Sequence, residues 1–345
     1  MNTHTLAELK QRQALPLEVK VLMSKQRIRE WIDEFGEDGV YVSFSGGKDS
    51  TVLLHLVRED FPNVKAMFVD TGLEYPEVRA FAMAQENVDV VRPKLTFKEV
   101  IKTKGYPFIG KEVSKNIYYA RRAIEKGDME NIHLKKMNGE LKDENGERSS
   151  FNTEKYKFMV DAPYLFGDGC CAVMKKSPAH AYEKATGRVK ITGQMADESR
   201  LRMQKWLRSG CNAFDAKRPT SNPMSFWTEQ DVLNYIKINK IPIAPVYGAI
   251  EIDYEALDQE KGQMTFSDLL GIPETFPLKT TGCSRTGCMF CGFGCHLEKE
   301  SRFVKMKETH PQIYDYIMRP ESQGGLNYKE IIDWLNEHGN LNIKY

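Results

Sequence analysis

Ser45-Gly46-Gly47-Lys48-Asp49-Ser50 brings two hydroxyls, two glycines, a lysine and a carboxylate into six residues. The chemistry open to such a set is the handling of a polyphosphate. Glycines let the backbone approach phosphate oxygens, and free N–H groups and the dipole at a helix start favour negative charge. The segment is not a Walker loop, because Gly47-Lys48 is followed by Asp49 and no glycine stands five residues before Gly47. The second set is sulfur. Cys170 and Cys171 are adjacent, and Cys283, Cys288, Cys291 and Cys295 follow far downstream among Gly282, Gly287, Gly292 and Gly294. Grouped cysteines without secretion signals point to metal or cluster ligation before disulfides, and thiolates suit zinc and iron–sulfur clusters alike. The four downstream cysteines are by themselves a candidate Cys₄ zinc site. Cys211, near Trp206, Leu207 and Phe214, reads as a packed thiol, and His296, beside Cys295, as a surface histidine or else a ligand.

Elements must hold these groups in place. Val40 to Phe44 reads as a short buried strand. Asp49 to Val57 reads as a helix with an apolar stripe at Val52, Leu53, Leu56 and Val57. Further strands are expected at Val64 to Val69, Val88 to Val91 and Val189 to Gly193. Helices are expected at Leu17 to Phe35, Glu77 to Gln85 and Ser199 to Leu207, and from Thr228, as cap, through Ile238. Strands alternating with helices imply an α/β fold with a doubly wound, mostly parallel sheet. Ligands of such sheets bind beyond the carboxyl ends of strands, where Ser45-Gly46-Gly47 and Asp70-Thr71-Gly72 fall. We divide the chain into an N-terminal helical segment, 1–36, an α/β domain, 37–250, and a cysteine-rich and helical region, 251–345. The charged, turn-rich stretch 126–157 reads as an insertion or flexible excursion.

The 345 residues are 41% hydrophobic and 28% charged with a formal net charge of +1. That balance is of an ordinary globular protein and gives no global field for nucleic acid or membrane. No apolar run approaches the roughly 20 residues of a membrane span. The expected compartment is the cytoplasm. Tyr118-Tyr119-Ala120-Arg121-Arg122 and Lys205-Trp206-Leu207-Arg208 are aromatic–basic stretches that read as nucleic-acid contacts or as solvated helix faces.

Three further runs carry a family resemblance: Val69-Asp70-Thr71-Gly72-Leu73-Glu74-Tyr75, Thr192-Gly193-Gln194-Met195-Ala196-Asp197-Glu198-Ser199-Arg200, and Asn222-Pro223-Met224-Ser225-Phe226-Trp227-Thr228-Glu229-Gln230-Asp231-Val232 with Ile241-Pro242-Ile243-Ala244-Pro245-Val246-Tyr247. With the Ser45 to Ser50 loop, their order resembles the phosphoadenosine phosphosulfate (PAPS) reductase family of the adenine nucleotide alpha-hydrolase, or PP-loop ATP pyrophosphatase, superfamily. The match to that family's T-G-x-x-A-D-E-S-x-x-R pattern, with Arg200 taken as its arginine, has a slightly different arginine spacing. The resemblance implies that Ser45, Gly46, Gly47, Lys48, Asp49 and Ser50 hold the phosphates of an adenine nucleotide. It places Asp70, Thr71 and Gly72 near the ribose or adenine, with Gly193 among the nucleotide-binding residues and Arg200 and Arg202 as anion contacts. Lys48, Asp49 and Arg200 are the expected catalytic groups. Asp49 or Asp197 is a candidate Mg²⁺ ligand, or else a helix cap. A loop-tip lysine is expected to carry little core packing. The paired cysteines with a distant C-x-x-C resemble the [4Fe-4S] ligand set of the iron–sulfur branch of the family, which implies Cys170, Cys171, Cys288 and Cys291 as ligands.

Two departures shape the expected activity. Sulfonucleotide reductases generally carry a degraded loop, whereas this one is intact, as in ATP-splitting relatives. Those reductases also carry a nucleophilic cysteine in a C-terminal tail, and no cysteine follows Cys295. The leading expectation is an enzyme that cleaves ATP at its alpha-phosphate, activates an acceptor and transfers sulfur with the cluster. The acceptor is a small molecule or a nucleic acid, and a sulfur-donor or electron-donor protein is the expected partner. One alternative is a PAPS or adenylyl-sulfate reductase using Cys295, which two glycines would free to move and His296 would activate. Another is a nucleotide-binding module with a structural zinc site.

Overall fold

In a computed structural model of the chain, residues 3–260 and 276–345 are described. Their strands are β1 (Val40–Phe44), β2 (Ala66–Val69), β3 (Val88–Val91), β4 (Phe108–Ile109), β5 (Val189–Ile191), β6 (Asn212–Ala213), β7 (Thr220–Ser221), β8 (Ile250–Ile252), β9 (Leu278–Thr280) and β10 (Gly292–Phe293). The chain forms two compact units, Met1–Arg92 with Ala179–Gly287, and Pro93–Pro178 with Cys288–Tyr345.

The first unit is built on a six-stranded sheet in the order β3-β2-β1-β5-β7-β6. All neighbours are parallel except the β6–β7 edge. Side-chain alternation shows why both faces must be covered. Val40, Val42, Phe44, Ala66 and Phe68 enter one core layer, while Tyr41 and Met67 point into the other beside Tyr182. The helix Lys48–Asp60 buries its predicted stripe of Val52, Leu53, Leu56 and Val57 in the first layer. Strand order reverses between β1 and β5, and the Ser45 loop and Gly193 follow those two strands. That is the switch point at which doubly wound sheets bind ligands.

The helix Leu17–Phe35 ends at Gly36, as its stop residue predicts, but it is not a separate segment. Ile28, Trp31 and Ile32 join the same core as β1, and Lys20 makes a buried ion pair with Asp231 at 2.7 Å. Thr228 caps the helix Glu229–Asn239 reciprocally with Asp231, so one carboxylate serves both contacts.

Residues 93–178 and 288–345 share a core of their own, which is why the units depart from the sequence boundaries at 37–250 and 251–345. Phe108 packs edge-on against Phe166 and at 5.0 Å against Tyr328, and Phe303 meets the same tyrosine. Of the 251–345 region, residues 261–275 lie outside the described residues. The stretch 126–157 is no loose excursion. It contains the helix Ile132–Asn138, whose Leu134 and Met137 are buried, and a turn closed by the Lys142–Arg148 bridge. Two apolar anchors at helical spacing suffice because the helix Lys111–Lys126 contributes Ile117, Ala120 and Ala123 to the buried set.

Candidate functional site

The Ser45 loop is held from inside by its own hydroxyls. The Ser45 N–H donates to Ser50 Oγ at 3.1 Å, and the two hydroxyls lie 3.0 Å apart. Ser50 and Thr51 hydroxyls donate to the Gly47 carbonyl at 2.9 and 3.0 Å. Gly46 has φ +73, and a Cβ there would stand 2.8 Å from the Val78 carbonyl oxygen, so only glycine fits. Gly193 serves a close approach, because its Cβ would stand 3.0 Å from the Asp49 carbonyl oxygen. No side chain caps the helix at Gly47. Instead the Lys48 N–H donates to the Tyr247 hydroxyl at 3.2 Å, and that hydroxyl lies 2.6 Å from Thr286 Oγ1. A tyrosine oxygen thus stands where a helix N-terminus attracts anions.

Lys48 is not the exposed loop-tip residue that its position suggests. It is 2% exposed, with its Nζ 2.9 Å from Glu229 and 3.3 Å from Asp49. Burial works to lower its pKa, but Asp49 and Glu229 outweigh burial and the net shift is upward. Lys48→Ala would strand two carboxylates, so it is not a packing-neutral change. The Asp49–Lys48 contact is an ion pair without hydrogen-bond alignment, for Asp49 Oδ1 is buried and has no hydrogen-bond donor among the described residues. An oxygen without a donor beside a phosphate loop suits Mg²⁺, which takes one or two carboxylates together with phosphate oxygens.

The other nucleotide residues divide. Asp70 is 5% exposed, accepts two hydrogen bonds from Arg79 at 2.7 and 2.8 Å, and one from Arg92 at 3.0 Å. Thr71 and Glu74 bond each other across Gly72, at 2.7 Å between Thr71 Oγ1 and the carboxylate. This turn is closed on itself at the end of β2. Arg200 is exposed, whereas Arg202 is partly buried and within electrostatic reach of Asp49 and Arg285. Arg202 and Arg285 both pair with Glu198. The geometry therefore turns Arg202, and not Arg200, toward the loop. Arg202 stands three residues after Ser199, the place that the T-G-x-x-A-D-E-S-x-x-R pattern gives to arginine. Asp197 is exposed. Glu229 and Tyr247 lay inside recognised runs without an assigned role, and nothing in the sequence marks Thr286. Trp206 is buried and stacked on His4, so Lys205 to Arg208 offers no aromatic face.

In the second unit, Cys171, Cys291 and Cys288 all act electrostatically on the Cys170 thiol. Cys283 belongs to the first unit. The Cys170 thiol is pushed up by its hydrogen bond to Cys171, then by burial and its thiol neighbours. Cys171 is held low by that same bond, then by Lys111, Lys175 and Lys176. Arg302 fixes the downstream pair, donating to the Cys291 carbonyl at 2.7 Å and the Phe293 carbonyl at 3.1 Å. The Phe293 N–H bonds Cys291, and Tyr328, fully buried, donates to the Phe290 carbonyl at 2.6 Å. Among the described residues no three His, Cys, Asp or Glu side chains converge as a metal-ion site. The four thiols, with basic residues acting on Cys171 and a backbone N–H bonded to Cys291, are the groups that could hold a thiolate-bound metal or cluster.

Cys295 is not the mobile nucleophile of the reductase alternative. It is 3% exposed, and burial pushes its thiol up to about 12. His296 lies 3.2 Å from the Tyr156 hydroxyl, with its own pKa lowered by burial and Lys155, and is partly buried. Cys211 is buried, as expected of a packed thiol.

A parallel sheet with a glycine-turn phosphate loop at its switch point defines the PP-loop class of nucleotide-binding proteins. The phosphoadenosine phosphosulfate reductase domain model matches residues 39–140 and 109–292, and the chain belongs to that family. Sulfate adenylyltransferase subunit 2 of Sulfurimonas denitrificans is 26% identical over 253 residues, 72% of this chain and 70% of its own. Phosphoadenosine 5'-phosphosulfate reductase of Xanthomonas axonopodis pv. citri is 33% identical over 85 residues, 23% of this chain and 35% of its own. The crystal structure of PAPS reductase from Candida auris overlaps 76% of this chain and 96% of its own at 16% identity, with a TM-score of 0.35. No described helix is long and apolar enough to cross a membrane.

The Asp70 cluster generates a pH prediction. Its two arginines, Arg79 foremost, hold its carboxyl down to about 2 against the opposing effect of burial. A depressed pKa contributes stability that is present above the ordinary value, about 3.9, and is lost as pH falls through the folded value. Asp70→Asn should cost about 1–2 kcal/mol at pH 7, the partly exposed arginines being screened. In urea melts the gap should narrow at pH 3; an equal gap at both pH values contradicts the assignment.

Proposed function

We propose that the chain binds ATP in the Ser45 to Ser50 loop, splits it between the alpha and beta phosphates to activate an acceptor, and supports sulfur transfer to that acceptor. The observation that carries this reading is the intact loop around a buried, charged Lys48 at an uncapped helix start. Amides of the loop and of Lys48 would hold the polyphosphate, displacing the Tyr247 hydroxyl. Lys48 would leave Glu229 for phosphate oxygens, so no new charge is buried uncompensated. Asp49 is the proposed Mg²⁺ ligand, and Arg202 the proposed contact for charge developing on the leaving group. A nucleophile of the acceptor attacks the alpha phosphorus; its bond forms as the alpha–beta P–O bond breaks, and pyrophosphate leaves with the electron pair. The relatives named sulfate adenylyltransferase subunit 2 support a reaction of this adenylyl-transfer class, and their name supports a partner subunit. Cys170, Cys171, Cys288 and Cys291 are the proposed [4Fe-4S] ligands. The cluster would supply sulfur or electrons to the activated acceptor. Burial of Cys211 and Cys295 weighs against thioredoxin-dependent PAPS reduction, which needs an accessible thiolate.

Incubation with Mg²⁺, alpha-labelled ATP and a panel of sulfur-pathway acceptors tests the cleavage. Pyrophosphate with an adenylylated product or AMP is expected, and Lys48→Met should slow it by roughly a hundredfold. ADP with orthophosphate, or rapid sulfite release from PAPS, contradicts the proposal.

Metal analysis after anaerobic purification tests the ligand set. A brown protein with about four irons and four sulfides per chain is expected, and Cys171→Ser should lose the visible absorbance while Cys283→Ser keeps it. A zinc-only protein, or unchanged metal in a Cys170→Ser/Cys171→Ser variant, contradicts it.

A further inference from the structure

The second unit contains a cavity of about 380 Å³ to which the proposed reaction assigns no ligand, although Cys171 stands in its wall. One wall is a face of the helix Lys111–Lys126, where Lys111, Tyr118 and Arg122 recur at offsets of seven and eleven and so share a side. The opposite wall is the segment around Gly169 and Cys171, followed by a π-helical turn, Ala172–Lys176, whose Lys176 lines the cavity. Lys104 closes a third side from the last turn of the helix Phe97–Lys104. Extra-residue turns of this kind are rare and frequent at functional sites.

Charge is what distinguishes the cavity. Four cations line it, and Asp168 is its one lining carboxylate. Elsewhere in the same unit Lys102, Lys135 and Lys136 each find a carboxylate: Glu321, Glu130 and Glu112. Lys104, Lys111, Arg122 and Lys176 make no ion pair among the described residues, although Lys111 and Lys176 both act on the Cys171 thiol. One face of each tyrosine is engaged. The Arg122 guanidinium lies 5.1 Å over the Tyr118 ring, and Tyr119 stacks on His133 at 4.9 Å. An oxyanion finds lysines and a guanidinium fork there. The volume is at the lower end of small-molecule sites and exceeds that of a lone tetrahedral anion.

We propose that this cavity binds the phosphate or sulfate group of a small organic monoester and presents the remainder of that molecule to the wall formed by Cys171. The proposal does not rest on the reaction assigned to the Ser45 loop. The four cations and the void are the same whatever Cys171 binds.

Calorimetric titration at low salt tests it, with inorganic phosphate and ribose 5-phosphate as probes. One saturable site is expected, tighter for ribose 5-phosphate than for phosphate. Joint Lys111→Gln and Arg122→Gln changes, both at exposed positions, should weaken it at least roughly tenfold, with circular dichroism confirming the fold. Lys48→Met should leave it unchanged. Binding that disappears with Lys48→Met and survives the double change would place the anion in the nucleotide loop and overturn the proposal. So would the absence of saturable binding, or displacement of ribose 5-phosphate by a single-stranded oligonucleotide with steep salt dependence.

Discussion

A lysine side chain with almost no solvent contact stays charged only where opposite charge surrounds it, and Lys48 meets that condition through Glu229 and Asp49. The surrounding loop geometry depends on this arrangement. Gly46 turns the chain beneath Val78, Gly193 lets the end of β5 approach Asp49, and Ser50 and Thr51 tie back the Gly47 carbonyl. The Ser45, Gly47 and Lys48 N–H groups donate to hydroxyls, of Ser50, Ser45 and Tyr247, with a compensated cation beside them. In the proposed reading Glu229 holds the place of a polyphosphate on Lys48 Nζ, and the Tyr247 hydroxyl holds it on the Lys48 N–H.

The cysteine constellation depends on a different constraint, the private core of the second unit. Cys170 and Cys171 are separated from Cys288 and Cys291 by more than a hundred residues. They come together because the aromatic core of Phe108, Phe166 and Tyr328 joins both stretches, with Tyr328 bonded to the Phe290 carbonyl and Arg302 to that of Cys291. The same packing that gathers these thiols buries Cys295. Ligation and nucleophilic attack make opposite demands on a thiol, one for enclosure and one for access, and Cys295 is enclosed.

Much of the first unit was legible in the sequence, because its strands are short apolar runs between glycine turns and its helices carry regular stripes. Val40–Phe44, the Lys48–Asp60 stripe and the Thr228–Asp231 cap all rest on local pattern. What local pattern does not encode is pairing across the chain. The burial of Lys48 depends on Glu229, 181 positions later in the numbering. The inclusion of Leu17–Phe35 in the central core brings Ile28, Trp31 and Ile32 into one core with β1 and Lys20 against Asp231, which is distant in sequence. Stretch 126–157 looked unpacked because its composition is charged; Leu134 and Met137 anchor it against a neighbour that composition does not reveal. Arg200 drew attention as the first arginine after Ser199, yet a helix start points successive residues apart, and Arg202 takes the inward side.

The most direct test is equilibrium binding of Mg²⁺-ATP to the parent and to Glu229→Gln, measured by calorimetry. If the lysine is held for phosphate by a displaceable carboxylate, the parent binds ATP and Glu229→Gln binds it more tightly, by roughly tenfold for one charged contact no longer displaced. A parent that binds no ATP, or a Glu229→Gln protein that binds it more weakly, contradicts the account.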